Sequence, residues 1–204
     1  MTKVAFKTIL SSTEGLYKEK GSKFLSKAYP IESEIQAKEI LADLKKEFYD
    51  ARHICYAMSL QGQMLLERAN DDGEPAHTAG TPILNQIKSF EVSNILVVVV
   101  RYFGGTKLGV SGLMQAYKTA AEEALKVATF YKVEPKERYK FVFAYEHTGQ
   151  VMHWLKELNG AIITETKTAH YELIAETPID CEEALREKWQ AFQKEIILER
   201  LDES

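Results

Sequence analysis

Six consecutive apolar residues, Ile95 to Val100 (ILVVVV), constrain this chain more than any other feature. A strand with one wet face alternates polar and apolar residues; this run does not alternate. It predicts a central strand over Ile95–Tyr102, covered on both faces. Such a strand requires helices or further layers above and below its sheet. Four glycines follow in the segment RYFGGTKLGVSG, Arg101 to Gly112. A helix is then predicted from about Val110 to Thr129. Its inward stripe holds Leu113, Ala116, Tyr117, Ala120, Ala124, Leu125 and Ala128, and so many alanines imply close approach to the sheet.

Upstream, Phe6–Ser11 and Phe24–Ile31 read as strands around a polar turn, STEGLYKEKGSK. Ser33 is placed to cap a helix to about Phe48, with Ile35, Ile40, Leu41, Leu44 and Phe48 on one stripe. His53–Leu60 reads as a strand, and Met64–Arg68 completes a hairpin. Asn70–Pro82 reads as a long irregular loop, and Ile83–Ile87 as a short helix. The polar segment VEPKER, Val133 to Arg138, marks a boundary between two domains, 1–133 and 134–204. The second reads strand Tyr139–Tyr145, helix Thr148–Leu158 ended by Asn159-Gly160, strands Ala161–Thr168 and His170–Glu176, and a helix from about Cys181 to Leu201.

Charge separates the two parts. Residues 1–133 carry 17 Lys+Arg against 15 Asp+Glu, a net of +2, whereas residues 134–204 carry 9 against 15, a net of −6. The overall −4 argues against an indiscriminate nucleic-acid binder, but the cationic bias of the first part is compatible with a phosphate-bearing partner. The longest apolar run is far short of the ~20 residues that span a bilayer, and the N-terminus lacks a signal-peptide pattern. A cytoplasmic protein without membrane association is expected. Its two cysteines, Cys55 and Cys181, form no paired motif, so neither a disulfide framework nor a thiolate metal cage is expected.

Three groups of residues are candidates for function. In the glycine-rich segment, Gly104, Gly105 and Gly109 permit close backbone approach, and Lys107 adds a point charge beside a helix start. The spacing matches neither a Walker A loop nor a dinucleotide fingerprint, and simple helix–sheet packing is an equal alternative. Basic residues form the second group: Lys18, Lys20, Lys23 and Lys27 in the first turn and strand, and Arg52, Arg101 and Lys107 beside the long loops. With Tyr17, Phe24, Tyr102 and Phe103 they would form a phosphate-contacting patch, unless they only solvate a hairpin. The third group is the loop Ala69–Pro82 (ANDDGEPAHTAGTP), with Asp71, Asp72, Glu74 and His77. Three carboxylates in four positions suit a hard cation, but the order departs from an EF-hand, and Asp-Asp-Gly reads better as a turn. No metal or cofactor is therefore expected.

The run RANDDGEPAHTAGTPILNQI, followed by NILVVVVRYFGGTKLGVSGLMQAYKTAAEEAL, resembles the signature region of the YigZ/IMPACT family. The upstream KGSKFLSKAYPI and ARHICYA resemble it too. One departure is His77, which stands where bacterial relatives often carry glycine. The resemblance implies an α+β architecture. Its first domain would be an α/β sandwich like the second domain of a ribosomal small-subunit protein and domain IV of elongation factor G. Its second would be ferredoxin-like, similar to domain V of that factor. Eukaryotic members of the family carry the first domain, lack the second, and modulate a translation-control kinase. The family implies no catalytic set.

Three functions are in view. The first is a non-catalytic binding protein that associates with RNA, the ribosome or a translation factor and regulates translation. Its contacts would be Lys23, Arg52, Arg101, Gly104, Gly105, Lys107 and Gly109. The second is a small-molecule hydrolase using the DDGE loop with His53 or Cys55. The third is a protein-interaction regulator acting through the acidic second domain. Partner identity and oligomeric state are left open.

Overall fold

The computed structural model describes residues 5–201 apart from Gln63. The chain divides into two compact units, residues 1–133 and 134–204.

The first unit runs β1 (Phe6–Ile9), β2 (Thr13–Glu19), β3 (Ser22–Pro30), α1 (Glu34–Glu47), β4 (His53–Leu60), β5 (Leu66–Asn70), α2 (Gly80–Ser89), β6 (Ile95–Tyr102), α3 (Gly109–Lys126) and β7 (Phe130–Val133). Five strands form one antiparallel sheet in the order β2-β3-β6-β4-β5, and β1 pairs with β7. The unbroken apolar run is β6, at the middle of the five. Ile95, Val97 and Val99 join the core under α2 and α3; Leu96, Val98 and Val100 join a second core with Ala37 and Leu44 of α1. Each fully buried aliphatic side chain contributes roughly 1.5–3 kcal/mol, so β6 is a principal anchor of the unit.

The alanine face of α3 lies against the sheet. A methyl group at Gly15 on β2 would meet the Ala124 backbone nitrogen at 2.6 Å, so glycine below and alanine above set the interlayer distance. Ser33 caps α1 by accepting from the Gln36 amide at 3.2 Å, and the Gln36 side chain accepts from the Glu32 amide at 2.8 Å.

Several elements differ from the sequence reading. The presumed turn STEGLYKEKGSK holds β2, whose Thr13-Glu-Gly-Leu-Tyr-Lys-Glu alternation is too polar to register as a strand. The expected hairpin strand Met64–Arg68 is shifted to Leu66–Asn70, and α2 begins inside the expected loop. Ile35 is 69% exposed, off the buried stripe of α1.

The second unit runs β8 (Lys136–Phe143), α4 (Thr148–Glu157), β9 (Ala161–Lys167), β10 (Tyr171–Pro178), α5 (Glu182–Gln190) and β11 (Ile196–Leu201). Its antiparallel sheet has the order β11-β8-β10-β9. A βαββαβ chain with its first and third strands central is the ferredoxin-like fold, and the molecule is thus α+β. Tyr139, Phe141 and Phe143 of β8 and Leu173 of β10 pack with Trp154, Leu155 and Leu185 of the helices. The helix expected to run to Leu201 stops at Gln190, and Ile196 instead opens β11, where it pairs with Phe143 of β8. Helical spacing of Leu185, Trp189, Phe192 and Ile196 survives in the sequence because all four face the same core. Asn159, in the left-handed region at φ 53°, ends α4.

Candidate nucleic-acid interface

The carboxylates of the DDGEP loop are engaged within the protein. Asp71 accepts from the amides of His77 (2.9 Å), Ala79 (2.9 Å) and Gly80 (2.8 Å), closing the loop and capping the start of α2. Burial would raise its carboxyl, but the amides of Gly80, His77 and Ala79 outweigh this and hold it below the ordinary range. Asp72 accepts from the Ile54 amide at 2.7 Å, and its carbonyl oxygen lies 2.8 Å from His53 Nδ1. His77 has φ 63°, a conformation that favours glycine, and its side chain is exposed. No group of three or more His, Cys, Asp or Glu among the described residues is placed to hold a metal ion.

Glu74 reaches inward. Its side chain is 4% exposed and pairs with Arg101 Nη1 at 2.5 Å, while the Tyr117 hydroxyl donates to it at 2.8 Å. Arg101, expected at a phosphate, is therefore buried, because β6 points it toward the α3 core. Its guanidinium lies between two rings, 5.5 Å from the centre of Phe24 and 5.6 Å from that of Phe103. Cys55 is fully buried, 3.0 Å from the Asp71 carbonyl oxygen and 3.4 Å from the Tyr117 hydroxyl. Burial pushes its thiol up to about 12, and the nearby carboxylates of Glu74, Asp72 and Asp71 reinforce the shift. His53 is hydrogen-bonded to the loop backbone instead, so no Cys–His pair is assembled.

The glycines divide by role. A methyl at Gly104 would lie 1.9 Å from the Gly21 carbonyl carbon, so this glycine serves the fold by letting the segment rest on the β2–β3 turn. The Gly104 amide donates to Ser22 Oγ at 3.1 Å. Gly105 (φ 90°) and Gly109 (φ 73°) instead face open space. The start of α3 at Gly109 has no side-chain cap.

On the opposite face of the sheet's edge, a hollow of about 510 Å³ is lined by Leu16, Lys18, Gly21, Lys23, Leu25, Tyr102 and Phe103. Lys18 stands directly opposite Lys23 across β2 and β3, and Lys23 opposite Tyr102 across β3 and β6. Like charges facing each other across strands are unfavourable. Among the described residues no carboxylate pairs with Lys18, Lys20, Lys23 or Lys107, whereas Lys27 is paired with Glu14 and Glu47. Arg52 is exposed just before His53, which pairs with Arg101. Phe24 and Tyr17 belong to the α3 core rather than to this surface. Leu16 and Leu25 are not singled out in the sequence, and Tyr117 only as a core residue of the helix; the two-residue alternation of β3 carries the signal for Leu25.

The Impact N-terminal domain matches residues 20–125. The chain is 34% identical to the IMPACT family member YigZ of Escherichia coli (strain K12) over 146 residues, covering 71% of this chain and 72% of YigZ. It is 38% identical to the IMPACT family member YvyE of Bacillus subtilis (strain 168) over 104 residues, 51% of this chain; the match spans 48% of YvyE. A solved structure described only as a hypothetical protein is similar over 100% of both chains, with 28% identity and a TM-score of 0.66.

Proposed function

The chain belongs to the IMPACT family, and we propose that it is a non-catalytic binding protein that associates with RNA on the translation machinery through its first unit. The observation that carries this reading is the pair Lys18 and Lys23: without a carboxylate partner among the described residues, set opposite each other, and beside an apolar hollow. Such a pair is tolerated more readily where phosphates supply the missing anions. Lys107 and Arg52 would extend the contact, with the open backbone at Gly105 and Gly109. Arg101 and Gly104 would act indirectly, by shaping the segment between them. The motif resemblance to domains that contact the ribosome supports a role in translational regulation, in a cytoplasmic setting. No helix among the described residues is long and apolar enough to cross a membrane.

Hydrolysis at the DDGE loop has less support. Asp71, Asp72 and Glu74 are engaged in folding contacts, and a buried thiol pushed up to about 12 is a poor nucleophile at neutral pH. Titrating RNA with the full chain at increasing salt tests the proposal. Affinity should fall steeply with salt and weaken for Lys107→Glu; salt-independent binding, indifferent to that change, would remove it.

A further inference from the structure

Phe103 is half exposed, although it lies only two residues beyond the buried Arg101 of β6. Its ring is not loose. The Arg101 guanidinium lies over it at 5.6 Å and is itself fixed by Glu74 at 2.5 Å and by the ring of Phe24 at 5.5 Å. A cation stacked on an aromatic ring is favourable, more so where it is desolvated. The ring thus reaches the surface already oriented, which reduces the ordering cost of any flat group that packs on it. It lines the same hollow as Lys18 and Lys23. A positive rim beside a fixed, half-exposed aromatic is the arrangement by which proteins hold unpaired nucleotides, phosphates on the cations and a base on the ring.

We infer that Phe103 is a stacking platform for an unpaired base, so that the polyanion held by the Lys18–Lys23 face is single-stranded RNA. This rests on the binding reading above and narrows it, because a duplex keeps its bases stacked on one another and offers none to the ring. An acidic protein segment would also satisfy the lysines, but it brings no flat face that requires an oriented ring.

The test uses the full chain and four probes: labelled oligouridylate, an RNA duplex of equal length, inorganic polyphosphate and polyglutamate. The native chain should bind oligouridylate more tightly than polyphosphate or duplex. Phe103→Ala should weaken oligouridylate binding roughly tenfold or more, leave polyphosphate binding unchanged, and be rescued by Phe103→Trp. An unfolding transition for each variant shows that the fold is kept. If Phe103→Ala has no effect on oligouridylate while Lys18→Glu weakens every probe, stacking is overturned and the polyanion reading stands. If polyglutamate alone binds, both readings fall and an acidic protein is the partner.

Discussion

Gly104 rests on Gly21 so closely that a methyl group on the former would sit 1.9 Å from the carbonyl carbon of the latter. The glycine-rich segment is therefore fastened to the β2–β3 turn at one residue and open at the next. Gly104→Ala should destabilise the chain by more than the ~1–3 kcal/mol of ordinary overpacking, because backbone must move. Gly105→Ala meets no atom but must hold φ at 90°, which costs about 1–2 kcal/mol. Denaturant unfolding of the two variants should show this order; equal losses would contradict it.

The buried pair of Arg101 and Glu74 predicts a different asymmetry. Glu74→Ala leaves a buried guanidinium without its carboxylate and should cost ~3–5 kcal/mol. Replacing both with apolar residues of similar volume should restore much of that loss. Equilibrium unfolding of the single and double variants measures the difference.

Asp71 makes stability depend on acid. Its carboxyl lies below the ordinary range in the fold, so the unfolded chain takes up a proton first as pH falls. The stabilisation is complete above the ordinary carboxylate range near ~4 and is lost as pH drops through the folded value. Asp71→Asn should be less stable than the native chain at neutral pH, and the gap should close in acid. A thermal-unfolding series across pH checks the sign.

Cys55 should resist alkylation at neutral pH while the chain is folded. It is buried, and its thiol is pushed up to about 12. Labelling followed by peptide mass analysis should find Cys55 modified only after denaturant is added; fast labelling of the native chain would contradict its placement.

Much of the architecture was readable because periodicity recorded it. The unbroken run of β6, the alanine stripe of α3 and the Ser33 cap each state one local requirement, and the fold meets all three. β2 and β11 were not readable. β2 mixes Glu14 and Lys18 with Leu16 on its exposed face and has Gly15 on the other, where α3 lies; β11 shares its apolar residues with a helical spacing. Only tertiary pairing decides such segments. The candidate surface was half legible for the same reason. Lys23, Lys107 and Arg52 lie on exposed positions, but Arg101 looks no different in sequence, and only strand parity turns it inward to Glu74. Asp-Asp-Gly reads as a turn in which aspartates cap neighbouring amides, but nothing in the sequence singles out residues 54, 77, 79 and 80 as the donors to Asp71 and Asp72.

The most direct measurement is the salt slope of RNA binding for the native chain, Lys18→Gln, Lys23→Gln and the double variant. Each lysine that holds a phosphate of a single strand contributes about 0.7 to the slope of log affinity against log salt. The slope should flatten by roughly that amount per lysine, while the double variant unfolds no earlier than the native chain, since a repulsion has been removed. An unchanged slope in the double variant would mean that the paired lysines meet no phosphate, and the binding surface assigned to this face would be wrong.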